Sequence, residues 1–578
     1  MITMFSKIII YKHKKLLNKI WLLLSIPVIT GCGKGTKYST DPDVIKHGKV
    51  TFNTHCASCH DMKLDGIGPK LNGVTKIENY QWLKEFITNP EKLVKAGDER
   101  ANRLFQRYNT YMPNYEFLKP GDIDAVLSYI NSEATEFNVA VDNSEAELVV
   151  LPRADAIRDG KLSLVIEDYV KIPSSSEHMP LARIANMRVR PNSPGNEFFV
   201  NDQRGYIYKV SGQKKITKFF DIHDYAEPFI DHPGMGTGLG SFAFHPDFEH
   251  NGLIYTTHAE DYRGRPGKNF LGDSIPVKMQ WVLSEWKMDN PVSDRFVGTQ
   301  RELLRVNYPT HSHGFQDLSF VPNISKNHPE YGLLYLGIGD GGTVEANMHQ
   351  LSGSIFYPFG TVIRIDPAGN DSYNGQYGMP ETNPFVQEKD KGIWKEIYAY
   401  GFRNPHRLAW STYGNMIVAD VGLHSFEELN LVEPGKNYGW YHREGDHQID
   451  LSFLDAALPI DSYGEQYELP LAQYDHYAGS AICGGYQYMG PIEALKNKYI
   501  FGDIVNGEIF YTKLPFEKKN LNTIYSMGIN YKGKDIKMKE IVDSEKVDMR
   551  FGEDAEKNLY IMNKMDAIIR MVKDVNEQ

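Results

Sequence analysis

Two thiols and an imidazole stand together at Cys56-Ala57-Ser58-Cys59-His60. Thiols at this spacing can each form a thioether to a porphyrin vinyl group, and the residue after the second then presents an imidazole to the iron. The pattern predicts covalent haem c, with His60 as one axial ligand. Zinc or a disulfide at the same pair is the weaker reading, because zinc needs a second ligand pair and only two other cysteines exist, Cys32 and Cys483. The sixth ligand is expected to be Met112, in Tyr111-Met112-Pro113-Asn114, where a thioether followed by a rigid proline can close the other face. Met62 lies too close to His60 to reach round the ring; the alternative for Met112 is an ordinary core methionine. A His/Met pair favours electron transfer over oxygen chemistry.

A second set of chemistry-bearing residues lies downstream: His311-Ser312-His313-Gly314 through Leu318, Gly339-Asp340-Gly341-Gly342, Gly401-Phe402-Arg403-Asn404-Pro405, and Asp420-Val421-Gly422 leading to Glu427-Glu428. Together they offer a titratable base, a permanent cation and oxygen-rich surroundings for a hard metal, at glycine-rich turns. His313 could take a proton from a substrate hydroxyl near neutral pH, and Arg403 could hold developing negative charge or a carboxylated cofactor. Each alone has a blander explanation, a satisfied structural histidine and a loop brace. Gly339-Asp340-Gly341 is no phosphate loop, since it lacks the lysine and the following helix.

These residues must be carried by a chain of 578 residues, 24% charged and 41% hydrophobic, which is too long for one average domain. A formal charge of -11 argues against nucleic acid as a partner. Residues 1–31 hold Lys7, Lys12, Lys14, Lys15 and Lys19 with no acid, then an apolar run from Ile20 to Thr30 that is too short to span a bilayer. This reads as an export signal, and its end, Ile29-Thr30-Gly31-Cys32, resembles a bacterial lipobox with Cys32 as the acylated residue. The expected location is the bacterial cell envelope, lipid-anchored and facing the periplasm. Loss of the five lysines would take the charge to about -16. Cys483 is left as a small buried strand residue, and no disulfide is expected.

After a tether (32–42), Asp41-Pro42-Asp43 predicts a capped helix start, Asn79 to Ile87 shows helical spacing, and Pro120-Gly121-Asp122 opens a last helix. Three helices around CxxCH and Met-Pro resemble class I cytochrome c over residues 43–134. Residues 135–150 are acidic and polar and read as a linker. From 151 to 578 strand formers recur six times in turn-bounded settings, at Glu197–Val200, Leu253–Tyr255, Leu333–Leu336, Met416–Val418, Tyr499–Phe501 and Leu559–Ile561. The expected fold is therefore multidomain: an all-α cytochrome c domain followed by an all-β six-bladed β-propeller.

Six ordered motifs carry a further resemblance: Gly240 to Phe248, His313 to Leu318, Gly339-Asp340-Gly341, Gly401 to Pro405, Gly435-Lys-Asn-Tyr-Gly-Trp440 and Phe501-Gly-Asp503. Residues 182 to 571 are similar to the soluble pyrroloquinoline-quinone (PQQ) glucose and aldose sugar dehydrogenases, which hold PQQ and calcium over a six-bladed propeller. The resemblance implies that His313 is the general base, that Arg403, Asn404 and Arg550 contact PQQ, and that the carbonyls of Gly422 and Leu423 bind calcium. Glu427 and Glu428 then serve a second calcium or a solvated turn. Four positions depart from the family pattern: Gly236 replaces a glutamine, Ser312 an acid before the base, Val505 a lysine that contacts the quinone, and Val547 stands where the second late arginine is expected. The implied activity is oxidation of an aldose or related alcohol by hydride transfer to PQQ, with electrons passed to the attached haem and on to a respiratory-chain acceptor. Two other readings are a propeller that binds glycan or protein without quinone, and a calcium-dependent lactone hydrolase.

Overall fold

In the computed structural model of the chain, Asp41 opens a helix as its sequence predicts: its side chain accepts from the Asp43 amide and Pro42 takes the first helical position. The structure describes residues 37–134 apart from 58, 59, 61, 63–67, 109–111, 113, 114 and 117, and residues 154–577 apart from 193–195, 232–235, 270, 273, 345, 347, 424, 450–456, 460–466, 518, 519 and 545. The expected export signal, Cys32, Cys59 and the 135–150 linker lie outside the described residues. No helix among the described residues is long and apolar enough to cross a membrane.

The first domain is helical: α1 (Pro42–His55), α2 (Val74–Ile77), α3 (Tyr80–Thr88), α4 (Pro90–Lys95), α5 (Glu99–Tyr108) and α6 (Pro120–Glu133). Helices α1 and α6 cross closely at Gly48, where a Cβ would fall 1.9 Å from the Ala125 carbonyl oxygen, so only glycine permits the approach. Around the crossing, Phe52, Leu83, Ile123, Val126, Leu127 and Ile130 form the core. Three helices were legible in the sequence; α2, α4 and α5 were not. The first two are only 4 and 6 residues long, and α5, Glu-Arg-Ala-Asn-Arg-Leu-Phe-Gln-Arg-Tyr, is too polar to show a wide apolar stripe.

The second domain is a β-propeller with four four-stranded antiparallel blades and one larger sheet among the described residues. The blades are β2–β5 (Ile184–Arg188, Phe198–Asp202, Tyr206–Val210, Ile216–Asp221), β6–β9 (Leu239–Phe244, Leu253–Asp261, Met279–Met288, Gly298–Tyr308), and β10–β13 (Phe315–Phe320, Leu334–Ile338, Thr361–Ile365, Ile397–Tyr400). The fourth joins β14 (Pro405–Trp410), β15 (Met416–Asp420) and β16 (Phe426–Val432) to β20 (Ala472–Asp475). Between β16 and β20, a small side sheet holds β17 (Arg443–Glu444), β18 (His447–Ile449) and β19 (Ala457–Pro459). The remaining strands are β21 (Tyr486–Gln487), β22 (Lys498–Gly502), β23 (Ile509–Lys513), β24 (Ile524–Tyr531), β25 (Lys534–Asp535), β26 (Met549–Glu553), β27 (Leu559–Asn563) and β28 (Ile568–Glu577). They form two meanders, β21–β24 and β26–β28, which β1 (Arg158–Lys171) joins by pairing parallel to β24 and antiparallel to β28.

All six strand runs seen in the sequence fall on the second strand of a meander, β3, β7, β11, β15, β22 and β27. These strands are covered on both faces, and so read as continuous apolar runs. The first strands β2, β6, β10, β14 and β21 neighbour one another in that order, and β26 lies beside β2. The turns entering the first strands and leaving the second strands therefore gather at one end of the propeller, because each such pair is antiparallel.

Candidate functional site

His313 ends the connection from β9 into β10 with a backbone φ of 44°, a left-handed value that a non-glycine residue adopts at a cost of order 1–3 kcal/mol. Its neighbours enforce that conformation. A Cβ on Gly339 would fall 2.4 Å from the His313 carbonyl oxygen, one on Gly314 would overlap the Trp281 indole, and one on Gly236 would lie 2.9 Å from the His313 amide. Glycines on three sides thus let the surrounding loops close on the histidine. Gly236, which departs from the glutamine of the resembling family, is part of this close packing.

The imidazole is oriented from the next loop. Nδ1 of His313 donates to Oδ1 of Asp340 at 2.7 Å; Asp340 also accepts from the Gly342 amide at 2.9 Å, and its Oδ2 from the Trp440 indole at 3.0 Å. Burial opposes ionisation of Asp340, but His313, Arg403 and the Gly342 amide together hold its carboxyl below the usual range. With Nδ1 protonated against the carboxylate, Nε2 is left as the proton acceptor. Asp340 was visible in the sequence as the acid of Gly-Asp-Gly, yet nothing in one chain read linearly assigns it to His313, 27 residues earlier.

Arg403 and Asn404, just before β14, belong to the same network. The Asp340 amide donates to the Arg403 carbonyl at 2.7 Å, and Asp420 accepts from the Arg403 and Asn404 amides at 3.0 and 2.6 Å. The Arg403 guanidinium carbon lies 5.6 Å from the Trp440 ring centre, and Nη1 donates to the Gly422 carbonyl at 2.5 Å. The structure therefore brings His313, Arg403, Asn404 and Gly422 together through Asp340, Asp420 and Trp440.

The turn bearing Gly422 and Leu423 has its amides taken by carboxylates. Oε1 of Glu444 accepts from Leu423, Ser425 and Phe426 at 2.6, 3.0 and 3.2 Å, while Oε2 of Glu427 accepts from Gly422 at 3.3 Å and Ile482 at 2.7 Å. Glu427 and Glu428 are not a solvated turn: both are buried in β16, Glu427 pairs with His476 at 2.8 Å, and Glu428 accepts from Asn430 at 3.0 Å. Burial pushes Glu428 up to about 7. Among the described residues no group of three His, Cys, Asp or Glu side chains is gathered as a metal cage. A cation at this turn would rest on backbone oxygens.

Arg550 begins a different blade, on β26. Its Nη1 donates to the Met549 carbonyl at 2.7 Å and pairs with Asp548 at 3.0 Å, so its contacts lie away from the His313–Arg403 network. Val505 is buried, and its amide donates to Asp503 at 2.9 Å. Asn404 Oδ1 and Arg550 Nε are both buried with no partner among the described residues, which fits these side chains to a polar guest.

In the helical domain His60 Nδ1 donates to the Pro69 carbonyl at 2.8 Å, which fixes the tautomer and frees Nε2 for a metal. Gly68 presses on the imidazole, with a Cβ there 2.5 Å from Cε1. Cys56 is buried beside it, whereas Cys59 is not described, and Met112 is half-buried. This donor set fits haem c.

The family model for glucose / sorbosone dehydrogenase matches residues 185–528, more than half of the 578-residue chain. The chain belongs to the glucose / sorbosone dehydrogenase family. The cytochrome c model matches residues 45–133, so this family member carries an N-terminal cytochrome c domain, which implies haem c. Among curated relatives, HIPL2 protein of Arabidopsis thaliana is 26% identical over 392 residues, covering 58% of this chain and 53% of that protein. Quinoprotein glucose dehydrogenase B of Acinetobacter calcoaceticus is 24% identical over 358 residues, covering 58% of this chain and 68% of that one. This glucose / sorbosone dehydrogenase homologue thus spans about half the length of HIPL2 protein. A solved glucose dehydrogenase superposes with a TM-score of 0.50 at 16% identity, covering 71% of this chain and 98% of that one, which bears on the fold.

Proposed function

We propose that this chain is a quinoprotein dehydrogenase that oxidises an aldose or related sugar alcohol and delivers the electrons to its own haem c. The observation that carries the reading is the His313–Asp340 pair beside Arg403, on a glucose / sorbosone dehydrogenase propeller joined to a cytochrome c domain. In this reading His313 Nε2 takes the proton from the substrate hydroxyl as hydride leaves the same carbon, and Asp340 stabilises the imidazolium that forms. Arg403 holds positive charge over the reacting centre, while Asn404 and Arg550 offer polar groups to the cofactor. When bound, PQQ would supply the hydride acceptor and haem c would take the electrons one at a time.

Calcium belongs to the proposal as well. The Gly422 and Leu423 carbonyls are its expected ligands, and Arg403 would have to turn off the Gly422 oxygen to admit it. The order of first strands supports six blades, with β1 completing the last pair of meanders. Anchoring through Cys32 in the bacterial envelope rests on the sequence alone.

The test is reduction of the haem absorption bands after sugar is added to the full chain loaded with PQQ and calcium. Rapid reduction by an aldose supports the proposal. Failure of every sugar and alcohol, with PQQ binding also absent by calorimetry, would replace it by the glycan- or protein-binding reading.

A further inference from the structure

Lys564 follows β27 at the same end of the propeller as Asp340, which follows β11, and Gly422, which follows β15. Like Arg183, it is only 6% exposed. An ammonium this deep ordinarily has a carboxylate to itself, and Lys564 does not. Its Nζ donates to the side-chain oxygen of Gln203 at 2.9 Å and reaches Oδ1 of Asp548 at 3.4 Å, the same oxygen that Nη1 of Arg550 holds at 3.0 Å.

Around this point the cations outnumber the acids among the described residues. Burial opposes ionisation of Asp548, but Lys564, Arg550, Lys546 and Arg183 together hold its carboxyl well below the ordinary range. The surroundings of Arg183 add Arg204 on one side of the balance and Asp202 and Asp231 on the other, so five positive groups face three negative ones. Arg407, also near Arg550, does not change that balance, because it lies 3.4 Å from Asp317. Burial, with Arg550, Arg183 and Lys546, pushes Lys564 well below its ordinary value against the pull of Asp548. Buried positive charge in excess of its counter-charge is costly until an anion joins it.

Two further observations locate the niche. Arg550 Nε is a buried donor with no acceptor among the described residues. His406, three residues past Arg403, stands near Arg550, Arg407 and Lys564, and its Nδ1 meets Gln316, three residues past His313, at 3.1 Å. The niche therefore adjoins the loops that carry His313 and Arg403. Val505 and Val547, whose carbonyl and amide bond to each other at 2.9 Å, bring no charge to it.

A carboxylate meets each of these conditions: it supplies the missing charge, accepts from an ammonium and a guanidinium together, and gives Arg550 Nε an acceptor. We propose that Lys564 is a binding residue for the quinone cofactor, taking one of its carboxylates jointly with Arg550. This rests on the quinoprotein reading above and adds a contact that no sequence motif marks.

The test is calorimetric titration of PQQ into the full chain carrying haem and calcium, beside the Tm of the same proteins without PQQ. Lys564→Met and Lys564→Gln are each expected to weaken PQQ binding about tenfold or more. Without PQQ their Tm is expected to equal or exceed that of wild type, because Asp548 keeps Arg550 and the excess charge is relieved. Lys326→Met, at an exposed lysine in the β10–β11 connection at the opposite end of the strands, leaves the affinity unchanged. Wild-type affinity in both Lys564 variants overturns the assignment, and a Tm lowered in both marks Lys564 as a structural residue and overturns it too. Glucuronate that binds without PQQ, and no longer binds Lys564→Met, gives the ammonium to an anionic sugar and likewise overturns it. If the wild type itself binds no PQQ, the quinoprotein reading fails and takes this assignment with it; binding by the wild type together with undiminished binding by the variants removes Lys564 alone.

Discussion

Asp340→Asn removes a charge while keeping the side chain's shape, in a position where the carboxylate serves three donors: His313 Nδ1, the Gly342 amide and the Trp440 indole. A hydrogen bond to a charged group contributes about 1.5–3 kcal/mol, and in the proposed mechanism the imidazolium formed on proton abstraction is the state that uses it. At 1.36 kcal/mol per decade of rate, losing it corresponds to a fall in kcat of about tenfold to 150-fold. The amide also brings two hydrogens of its own. Either they face the His313 N–H or they face the Trp440 N–H, so one donor is left opposed by another and the upper half of the range is expected. The assay is single-turnover haem reduction at saturating sugar, with haem content and circular dichroism used to show that both domains are intact. A substrate deuterated at the oxidised carbon should keep its isotope effect if chemistry limits the variant. Wild-type kcat in intact Asp340→Asn protein would refute the assignment of His313 as the base that Asp340 orients.

Three further outcomes are expected. Gly236→Ala drives a methyl against the His313 amide, so overpacking of about 1–3 kcal/mol should appear as a lowered Tm together with a slower kcat; an unchanged kcat would mean the loop is free to move. Glu260 is buried, which opposes its ionisation, but His258 and Arg305 hold its carboxyl down to about 2 from an ordinary 4.5. A depressed carboxyl stabilises the fold fully above the unfolded value and loses that contribution as pH falls through the folded one, so Glu260→Gln should cost about 2 kcal/mol at pH 7, after allowance for solvent screening, and progressively less from pH 4.5 towards 2 in urea titrations. Met112→His should lower the haem reduction potential, because a thioether ligand raises it, and a potential identical to wild type would remove Met112 from the iron.

The parts of the molecule that a linear reading could reach were those with local signatures. Asp41-Pro42 capped its helix, and each apolar run marked a doubly covered second strand, because burial on both faces leaves no alternation to misread. Outer strands such as β5 and β24, with exposed faces, gave weaker signals. His313 and Arg403 were found through glycine-rich motifs, whereas their coupling was not. Asp340, Asp420 and Trp440 come from turns up to 100 residues away from their partners, and propeller geometry alone makes them neighbours. The same distance concealed why Glu427 and Glu428 are buried: their partners His476 and Gly445 lie on later loops.

The placement of β1 has a mechanical consequence. Whatever path residues 135–153 follow, the strand that receives them is gripped along both edges, by β24 on one side and β28 on the other. A pull from the haem-bearing domain must shear two ladders at once instead of peeling one, which spreads the load over many hydrogen bonds. The mooring of the electron carrier is thus the clasp of the propeller itself, and a catalytic fragment cut free of its cytochrome keeps that clasp only if the cut falls before Arg158.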